Sequence, residues 1–176
     1  MAKATIICGT ADMRGVTSSM CESAADHLRS KGVEVVVIRP SDMTIGHCRD
    51  CGGCSDGKCI IEDDMAGILD SFSLSDILIL ASPIHFSGPS SLIKTVMDRF
   101  RPLWHVNRKS PKYCLSMLCG GSEEPNFDIT EKIVRAFSIS NGMQYIGGLR
   151  ISGTDSGVEN LDDKVESFLL RADMGL

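Results

Sequence analysis

The sequence has 176 residues and a formal net charge of −5, and 43% of its residues are hydrophobic. This length predicts one domain that buries its core without covalent cross-links. Acidic and basic residues are interspersed, which leaves no basic stripe for nucleic acid or an anionic membrane surface. No apolar run approaches the roughly 20 residues that span a bilayer, and the start lacks a cleavage site for a secretion signal. We therefore expect a cytoplasmic protein.

The first predicted strand, residues 4–8, is followed by the loop GTADMRGVTSS, residues 9–19. Beyond it, apolar residues recur at helical spacing, and Ser19 with Glu22 predicts a capping box at the start of this helix. The pattern therefore indicates a strand, a polar loop and a helix in direct succession.

The 9–19 loop has the composition of an anion site. Free N–H groups and the positive end of the helix dipole attract a negative charge at a helix start. Hydroxyl donors and backbone freedom come from Thr10, Thr17, Ser18, Gly9 and Gly15. The loop matches neither the dinucleotide pattern G-x-G-x-x-G nor the Walker pattern. We expect it to bind a phosphate monoester, with a capped surface turn as the alternative.

A long connection from about Arg39 to Glu62 follows the second predicted strand, residues 33–38. It greatly exceeds the usual loop of about 2 to 6 residues in α/β folds. Four of the eight cysteines lie in it with the spacing C-x2-C-x2-C-x4-C, at Cys48, Cys51, Cys54 and Cys59. In a reducing compartment such a cluster indicates a metal or redox site. The other four lie singly in apolar or helical patterns, as small buried side chains do.

Four thiols this close together can hold zinc, hold an iron–sulfur cluster or cycle as disulfides. Structural zinc usually takes two separated knuckles, whereas Cys51 and Cys54 merge the two here. The ferredoxin run C-x2-C-x2-C-x3-C-P matches the first three positions; the last gap is longer and Ile60 stands where proline would. The spacing favours a 4Fe-4S cluster and leaves zinc and a dithiol switch open, with His47 as an alternative ligand.

The middle of the chain continues the alternation. Asp63 and Asp64 suit the start of a second helix, and the strand at 76–81 is continuously apolar, as a parallel strand covered on both faces should be. The loop SPIHFSGPS, residues 82–90, follows that strand, and a third helix is predicted to open at Gly88–Pro89.

The remaining elements complete the pattern of five strands and five helices. They are a strand at 113–119, a helix at 128–140, a strand at 144–151 and a helix at 160–172. Parallel strands joined by crossover helices make a doubly wound α/β sheet. We predict a flavodoxin-like, five-stranded parallel sheet of order 2-1-3-4-5. It forms one domain over residues 1–176, with a cysteine-rich insertion at about 39–62.

Ligands of such sheets bind beyond the carboxyl ends of the strands, where the strand order reverses. Here that point lies between the first and third strands. The phosphate loop, the 82–90 loop and the glycines Gly120 and Gly121 all lie at this edge. One loop for a phosphate and two for a planar ring predict a mononucleotide such as FMN. We expect His85 to pack against the ring rather than transfer a proton.

Two stretches taken together carry a resemblance to a known family. CRDCGGCSDGKCIIEDDM, residues 48–65, and SPIHFSGPSSLIKTVMDR, residues 82–99, resemble the iron-sulfur flavoproteins, a branch of the NADPH-dependent FMN reductase-like flavodoxin folds. The similarity includes the cysteine motif, the Asp-Asp-Met helix start and the Lys-x-x-x-Asp-Arg helix. The order of elements extends it over nearly the whole chain.

The resemblance implies a 4Fe-4S cluster on the four clustered cysteines and FMN at the sheet edge. The residues implied to hold FMN are Thr10, Ala11, Gly15, Val16, Thr17, Pro83, Ile84, His85, Phe86, Ser87, Gly120 and Gly121. It also implies dimers or tetramers in which a cluster lies near a flavin across a subunit boundary, and electron transfer from a small carrier such as ferredoxin, with NAD(P)H as a further donor to test.

The chain departs from the family pattern at the phosphate loop, which is usually Gly-Ser-Pro-Arg-x-x-Gly-Asn-Thr. Thr10, Ala11, Asp12 and Val16 replace Ser, Pro, Arg and Asn, so Asp12 brings a negative charge near the expected phosphate. His85 replaces a tyrosine.

The leading hypothesis is an electron-transfer flavoprotein, for which no protein acid or base is named. The alternatives are an NAD(P)H-dependent FMN or quinone reductase without a cluster, and a zinc-binding or redox-sensing module.

Overall fold

A parallel sheet lies between two layers of helices in the computed structural model, which describes residues 1–106, 108–172 and 174. Strands β1 to β6 are Lys3–Cys8, Glu34–Ile38, Ile77–His85, Gly88–Pro89, Tyr113–Cys119 and Gln144–Ile151. Helices α1 to α5 are Val16–Ser30, Met65–Leu74, Ser91–Asp98, Phe127–Ser140 and Leu161–Arg171.

The sheet has the order β2-β1-β3-β5-β6, and all of these neighbours are parallel. The two-residue β4 pairs antiparallel with the end of β3. With β4 set aside, the five long strands follow the predicted order 2-1-3-4-5, so the predicted flavodoxin-like fold is confirmed. Within the described part of the chain, no helix combines the length and apolar character needed to cross a membrane.

Successive side chains of the central strands pack alternately into two separate hydrophobic cores, one on each face of the sheet. In β1, Ile6 and Cys8 belong to the core under α1 and α5, whereas Ile7 belongs to the core under α2, α3 and α4. In β3, Ile79 and Leu80 divide in the same way, and both are fully buried. Both faces of the sheet are therefore covered, which is why β3 is continuously apolar over residues 77–81.

The third helix was predicted to begin at Gly88–Pro89, and this prediction is wrong. These two residues form β4, and α3 begins only at Ser91, with Ser90 as its N-cap. The Ser90 hydroxyl oxygen accepts a hydrogen bond from the N–H of Ile93 at 3.4 Å. Pro89 lies in the short strand β4 rather than in the first turn of α3. A proline is tolerated in a short edge strand, because its missing N–H group breaks no hydrogen bond of the sheet there.

The predicted capping box at Ser19 and Glu22 is also wrong. Helix α1 begins at Val16 after Gly15, which has an extended backbone, so Ser19 lies inside the helix. The Ser19 hydroxyl donates to the carbonyl of Gly15 at 3.3 Å instead of capping a free N–H group. The helix therefore starts one turn earlier than the apolar spacing indicated.

Candidate functional site

The predicted phosphate loop is a tight turn held by hydrogen bonds among its own residues. The N–H of Asp12 donates to the Thr10 hydroxyl oxygen at 3.0 Å, and the N–H of Arg14 donates to the Asp12 carboxylate at 3.0 Å. The N–H of Gly15 donates to the carbonyl of Asp12 at 3.3 Å. The Asp12 carboxylate therefore serves the turn itself, as in an Asx-turn.

No side chain caps the start of α1. Its N-cap, Gly15, offers no side-chain hydrogen bond, and the first turn contains no acidic residue. The first N–H groups of a helix have no partner inside the helix, and they form an anion site with the dipole. The start of α1 thus has the features of a phosphate-binding site.

Thr17 takes a different role from the one its hydroxyl suggested. It is buried, and its hydroxyl lies 3.0 Å from the Cys119 sulfur. This contact joins the start of α1 to the end of β5. Burial raises the pKa of Cys119 above its ordinary value, although the bond with Thr17 opposes that shift. The backbone N–H group of Thr17 also faces the Cys119 sulfur.

Ser90 braces the beginning of the phosphate loop, a role that the sequence did not predict. Its hydroxyl donates to the carbonyl of Gly9 at 2.7 Å, and its own N–H donates to the Ser82 hydroxyl oxygen at 2.9 Å. The N–H of Gly9 in turn donates to the carbonyl of Ala81 at 2.8 Å. Phosphate loop, β3 and α3 are thereby tied together at the point where β1 and β3 separate.

The 83–88 segment forms a hairpin with Phe86 and Ser87 at its tip. Both residues have positive φ, of 51° and 63°. The Phe86 side chain is fully exposed, and the Ser87 carbonyl accepts a hydrogen bond from the Thr130 hydroxyl at 3.0 Å. Positive φ is unfavourable for a phenylalanine. The fold holds this ring out in solvent after the end of β3, and Pro83 and Ile84 are partly buried.

Gly120 and Gly121 allow two loops to meet behind this edge. A Cβ atom on Gly120 would lie 2.5 Å from Pro125, and one on Gly121 would lie 2.4 Å from the Asp155 carboxylate. The N–H of Thr154 donates to the carbonyl of Gly120 at 3.2 Å. The space beside these two glycines, which made them candidates for contact with a ligand ring, is filled by Pro125 and Asp155 of neighbouring loops.

A pair of buried thiols lies beneath the phosphate loop. The pKa of Cys8 is lowered to about 7, chiefly by a hydrogen bond from Cys21, and the Arg39 guanidinium favours the thiolate as well. The pKa of Cys21 is raised well above its ordinary value by the same pairing and by burial. Arg39 also donates to the Ser18 hydroxyl at 2.9 Å. No local pattern indicates this pairing, because Cys8 lies in β1 and Cys21 in α1.

The four clustered cysteines surround one small cavity of about 20 Å³. Its walls include Cys48, Cys51, Cys54 and Cys59, together with Ile60, Ile61, Arg99, Arg101 and Pro102. All four are free thiols, and His47, the alternative ligand, does not line the cavity. In the described part of the chain, no group of three or more metal-binding side chains stands at ligand geometry.

The chemistry of this lining fits an iron–sulfur cluster. Four thiols converge on a mainly apolar space, whose charged lining residues are two arginines, Arg99 and Arg101, and two aspartates, Asp50 and Asp98. Positive φ at Asp50, Gly52 and Gly57 bends the backbone around the cavity.

Arg99 and Asp63 join both ends of the cysteine loop. Arg99 donates through Nη1 to the carbonyl of Gly46 at 2.7 Å and through Nη2 to that of Ile61 at 3.3 Å. The same two nitrogens lie 2.6 and 2.9 Å from the Asp63 carboxylate oxygens. Asp63 also accepts the N–H of Gly46 at 2.8 Å. The hydrogen bond from Arg99 holds the pKa of Asp63 below its ordinary value.

Comparison with known families adds a match that spans most of the chain. Residues 2–155 match the sequence model of the family described as NADPH-dependent FMN reductase. An iron-sulfur flavoprotein of Methanocaldococcus jannaschii is 30% identical over 142 residues, which cover 80% of this chain and 74% of that protein. An iron-sulfur flavoprotein of Archaeoglobus fulgidus is 34% identical over 112 residues, which cover 63% of this chain and 51% of that protein.

Two solved structures share the fold at low sequence identity. The NAD(P)H:quinone oxidoreductase of Methanothermobacter marburgensis superposes with a TM-score of 0.75 at 14% identity, covering 97% of this chain and 96% of that one. An FMN-dependent NADH-azoreductase of Bacillus anthracis, solved with FMN, gives a TM-score of 0.70 at 16% identity, covering 97% and 99% of the two chains.

Proposed function

Because this chain belongs to the NADPH-dependent FMN reductase family and is a flavin-dependent oxidoreductase, we propose that it passes electrons between a small carrier, a 4Fe-4S cluster and FMN. The convergence of Cys48, Cys51, Cys54 and Cys59 on one cavity carries this proposal. The relatives named iron-sulfur flavoproteins support it. A cluster exchanges single electrons and a flavin exchanges one or two, so the pair can link one-electron and two-electron partners.

The protein's part in this proposal is binding and orientation. The start of α1 would bind the FMN phosphate through backbone N–H groups. The hairpin at Pro83–Ser87 and the loop at Gly120–Gly121 would border the isoalloxazine ring. The four cysteines would hold the cluster in a largely apolar environment. As in the family it resembles, we propose an assembly of two or four chains, with ferredoxin as the type of carrier.

A flavin reductase without a cluster is the second candidate. The lack of a preformed metal-binding group among the described residues favours it. In this candidate the cysteines are free thiols, and NAD(P)H reduces the flavin directly. The cavity lining also contains the carboxylates of Asp50 and Asp98, which pair with Arg101 and Lys94. The four thiols that converge on the same cavity make the cluster the better-supported choice.

Stopped-flow measurement of flavin reduction separates the two candidates. With reduced ferredoxin as the donor, we expect Cys54→Ser to slow reduction of the bound FMN by at least about tenfold. Cys114→Ala, which changes a buried thiol on β5, is the matched control and should react like the unmodified protein. Equal rates for all three chains, or fast reduction by NADPH alone, would favour the reductase without a cluster.

A further inference from the structure

We propose that Arg99 is the positioning residue of the cysteine loop: its guanidinium fixes both ends of the loop and, as a cation that lines the cavity with the cysteines, raises the reduction potential of the cluster. The effect on the reduction potential rests on the proposed function. The positioning of the loop concerns the chain alone. Arg99 stands in a helix-terminal position outside the cysteine motif.

The hydrogen bonds of Arg99 close the loop at its base. The carbonyls of Gly46 and Ile61 flank the cysteine segment on its two sides, and both accept from the same guanidinium. Asp63 completes the link, because it accepts the N–H groups of Gly46 and Met65 while pairing with Arg99. One ion pair therefore holds together two segments that are separated along the chain by all four cysteines.

The ion pair is almost fully buried, with side-chain exposures of 1% for Arg99 and 5% for Asp63. A buried pair of this kind gains little net stability, because desolvation of both charges offsets their attraction. The fixed fork of an arginine does provide orientation, since it bonds a carboxylate and two carbonyls in one plane. Its main consequence here is therefore the geometry of the loop.

One nitrogen of Arg99 is left over for a ligand. Its Nε is buried and has no hydrogen-bond partner among the described residues, although the side chain lines the cysteine cavity. Arg99 and Cys59 line the same cavity. A donor or positive charge beside a cluster sulfur stabilises the reduced, more negative cluster.

The loop can be tested without any cluster. In the metal-free full-length chain, we expect Arg99→Gln to abolish the slow hydrogen exchange of the amides of Gly46 and Met65. Cobalt(II) titration under argon should show about tenfold weaker binding through the thiolate bands. Lys94→Met, which removes an exposed cation on the same helix, is the matched control and should change neither result. Unchanged exchange and cobalt affinity in Arg99→Gln would overturn the positioning role.

The potential is measured on the iron-loaded protein. For Arg99→Gln we expect the reduction potential of the cluster to fall by about 59 mV. This corresponds to a tenfold change in the equilibrium constant of a one-electron couple. Asp63→Asn loosens the same loop but removes a negative charge, so its shift should be positive. If Arg99→Gln does not fold, Arg99→Lys keeps the charge and loses the fork, and it should weaken cobalt binding while shifting the potential less.

The two variants with opposite shifts distinguish a role at the cluster from a merely structural one. Shifts of the same sign, or none, would overturn the effect on the potential. Iron and sulfide analysis of the unmodified protein is made first. An unmodified protein without either would reject the proposed function and the effect on the potential together, whereas the exchange and cobalt results would still decide whether Arg99 holds the loop.

Discussion

Replacement of Gly9 by alanine tests whether the start of the phosphate loop is as closely packed as the structure indicates. A Cβ atom there would lie 2.4 Å from Cγ1 of Ile93, 2.7 Å from the carbonyl oxygen of Ala81 and 2.9 Å from the Ser90 hydroxyl. One of these neighbours is backbone, and Ile93 and Ser90 are buried. None of the three can move aside freely, so the loop itself would have to shift.

The size of the effect follows from these contacts. Overpacking of a closely packed site costs about 1–3 kcal/mol. A shifted loop would also lengthen the bonds that Gly9 makes with Ala81 and Ser90, which are each worth about 1 kcal/mol. We expect the free energy of unfolding to fall by about 3 kcal/mol. A displaced phosphate loop should also weaken FMN binding by about tenfold, or about 1.4 kcal/mol.

Urea unfolding and quenching of flavin fluorescence on binding are the two assays. Gly67→Ala is the matched control, because it makes the same substitution in α2 at a site where a Cβ atom meets nothing within 4 Å. That control should stabilise the protein by about 0.5–1 kcal/mol and leave FMN affinity unchanged. The reasoning is refuted if Gly9→Ala is as stable as the unmodified protein and binds FMN equally well.

Three further outcomes follow from named contacts. Thr17→Val removes the bond to Cys119 and should lower the free energy of unfolding by about 1 kcal/mol in urea, with FMN affinity kept; a loss of affinity without a loss of stability would show that the hydroxyl binds the phosphate. Burial raises the pKa of Cys114 from 9.0 to about 12, so the stability due to the neutral thiol is complete below pH 9 and is lost as the pH rises towards 12, at about 1.4 kcal/mol per pH unit; Cys114→Ala should make that fall shallower in urea unfolding at each pH, and an equally steep fall would contradict the assignment. Because Arg99 lowers the pKa of Asp63 from 3.8, its carboxylate stabilises the fold above that pH and the contribution is lost as the pH falls through the lowered pKa; Asp63→Asn should remove this part of the acid dependence in thermal unfolding, and an unchanged acid limb would count against it.

The sheet could be predicted from the sequence because its signals are local. Five short apolar runs alternate with helical patterns, and the rules of crossover connections then leave few arrangements. The residues at which helices and strands begin cannot be predicted from local signals alone. Gly88 and Pro89 suit a helix start and a short edge strand equally well, and only the pairing of Gly88 with His85 decides between them.

The site was predictable where one segment supplies several of its residues. The cysteine spacing is visible within a single loop, and so is the glycine-containing turn before α1. Ser90 and Arg99 could not be found in this way, because each acts by joining segments that are distant in sequence. Arg99 joins Gly46, Ile61 and Asp63, a contact set that no local pattern contains.

The cofactor content of the protein prepared without oxygen tests the central claim most directly. Iron, acid-labile sulfide and FMN are measured per chain on the same sample, beside a variant with Cys48 and Cys51 both changed to serine. The account predicts one FMN with about four irons and four sulfides per chain, and FMN alone in the variant. Stoichiometric FMN with no iron or sulfide in the unmodified protein would contradict it.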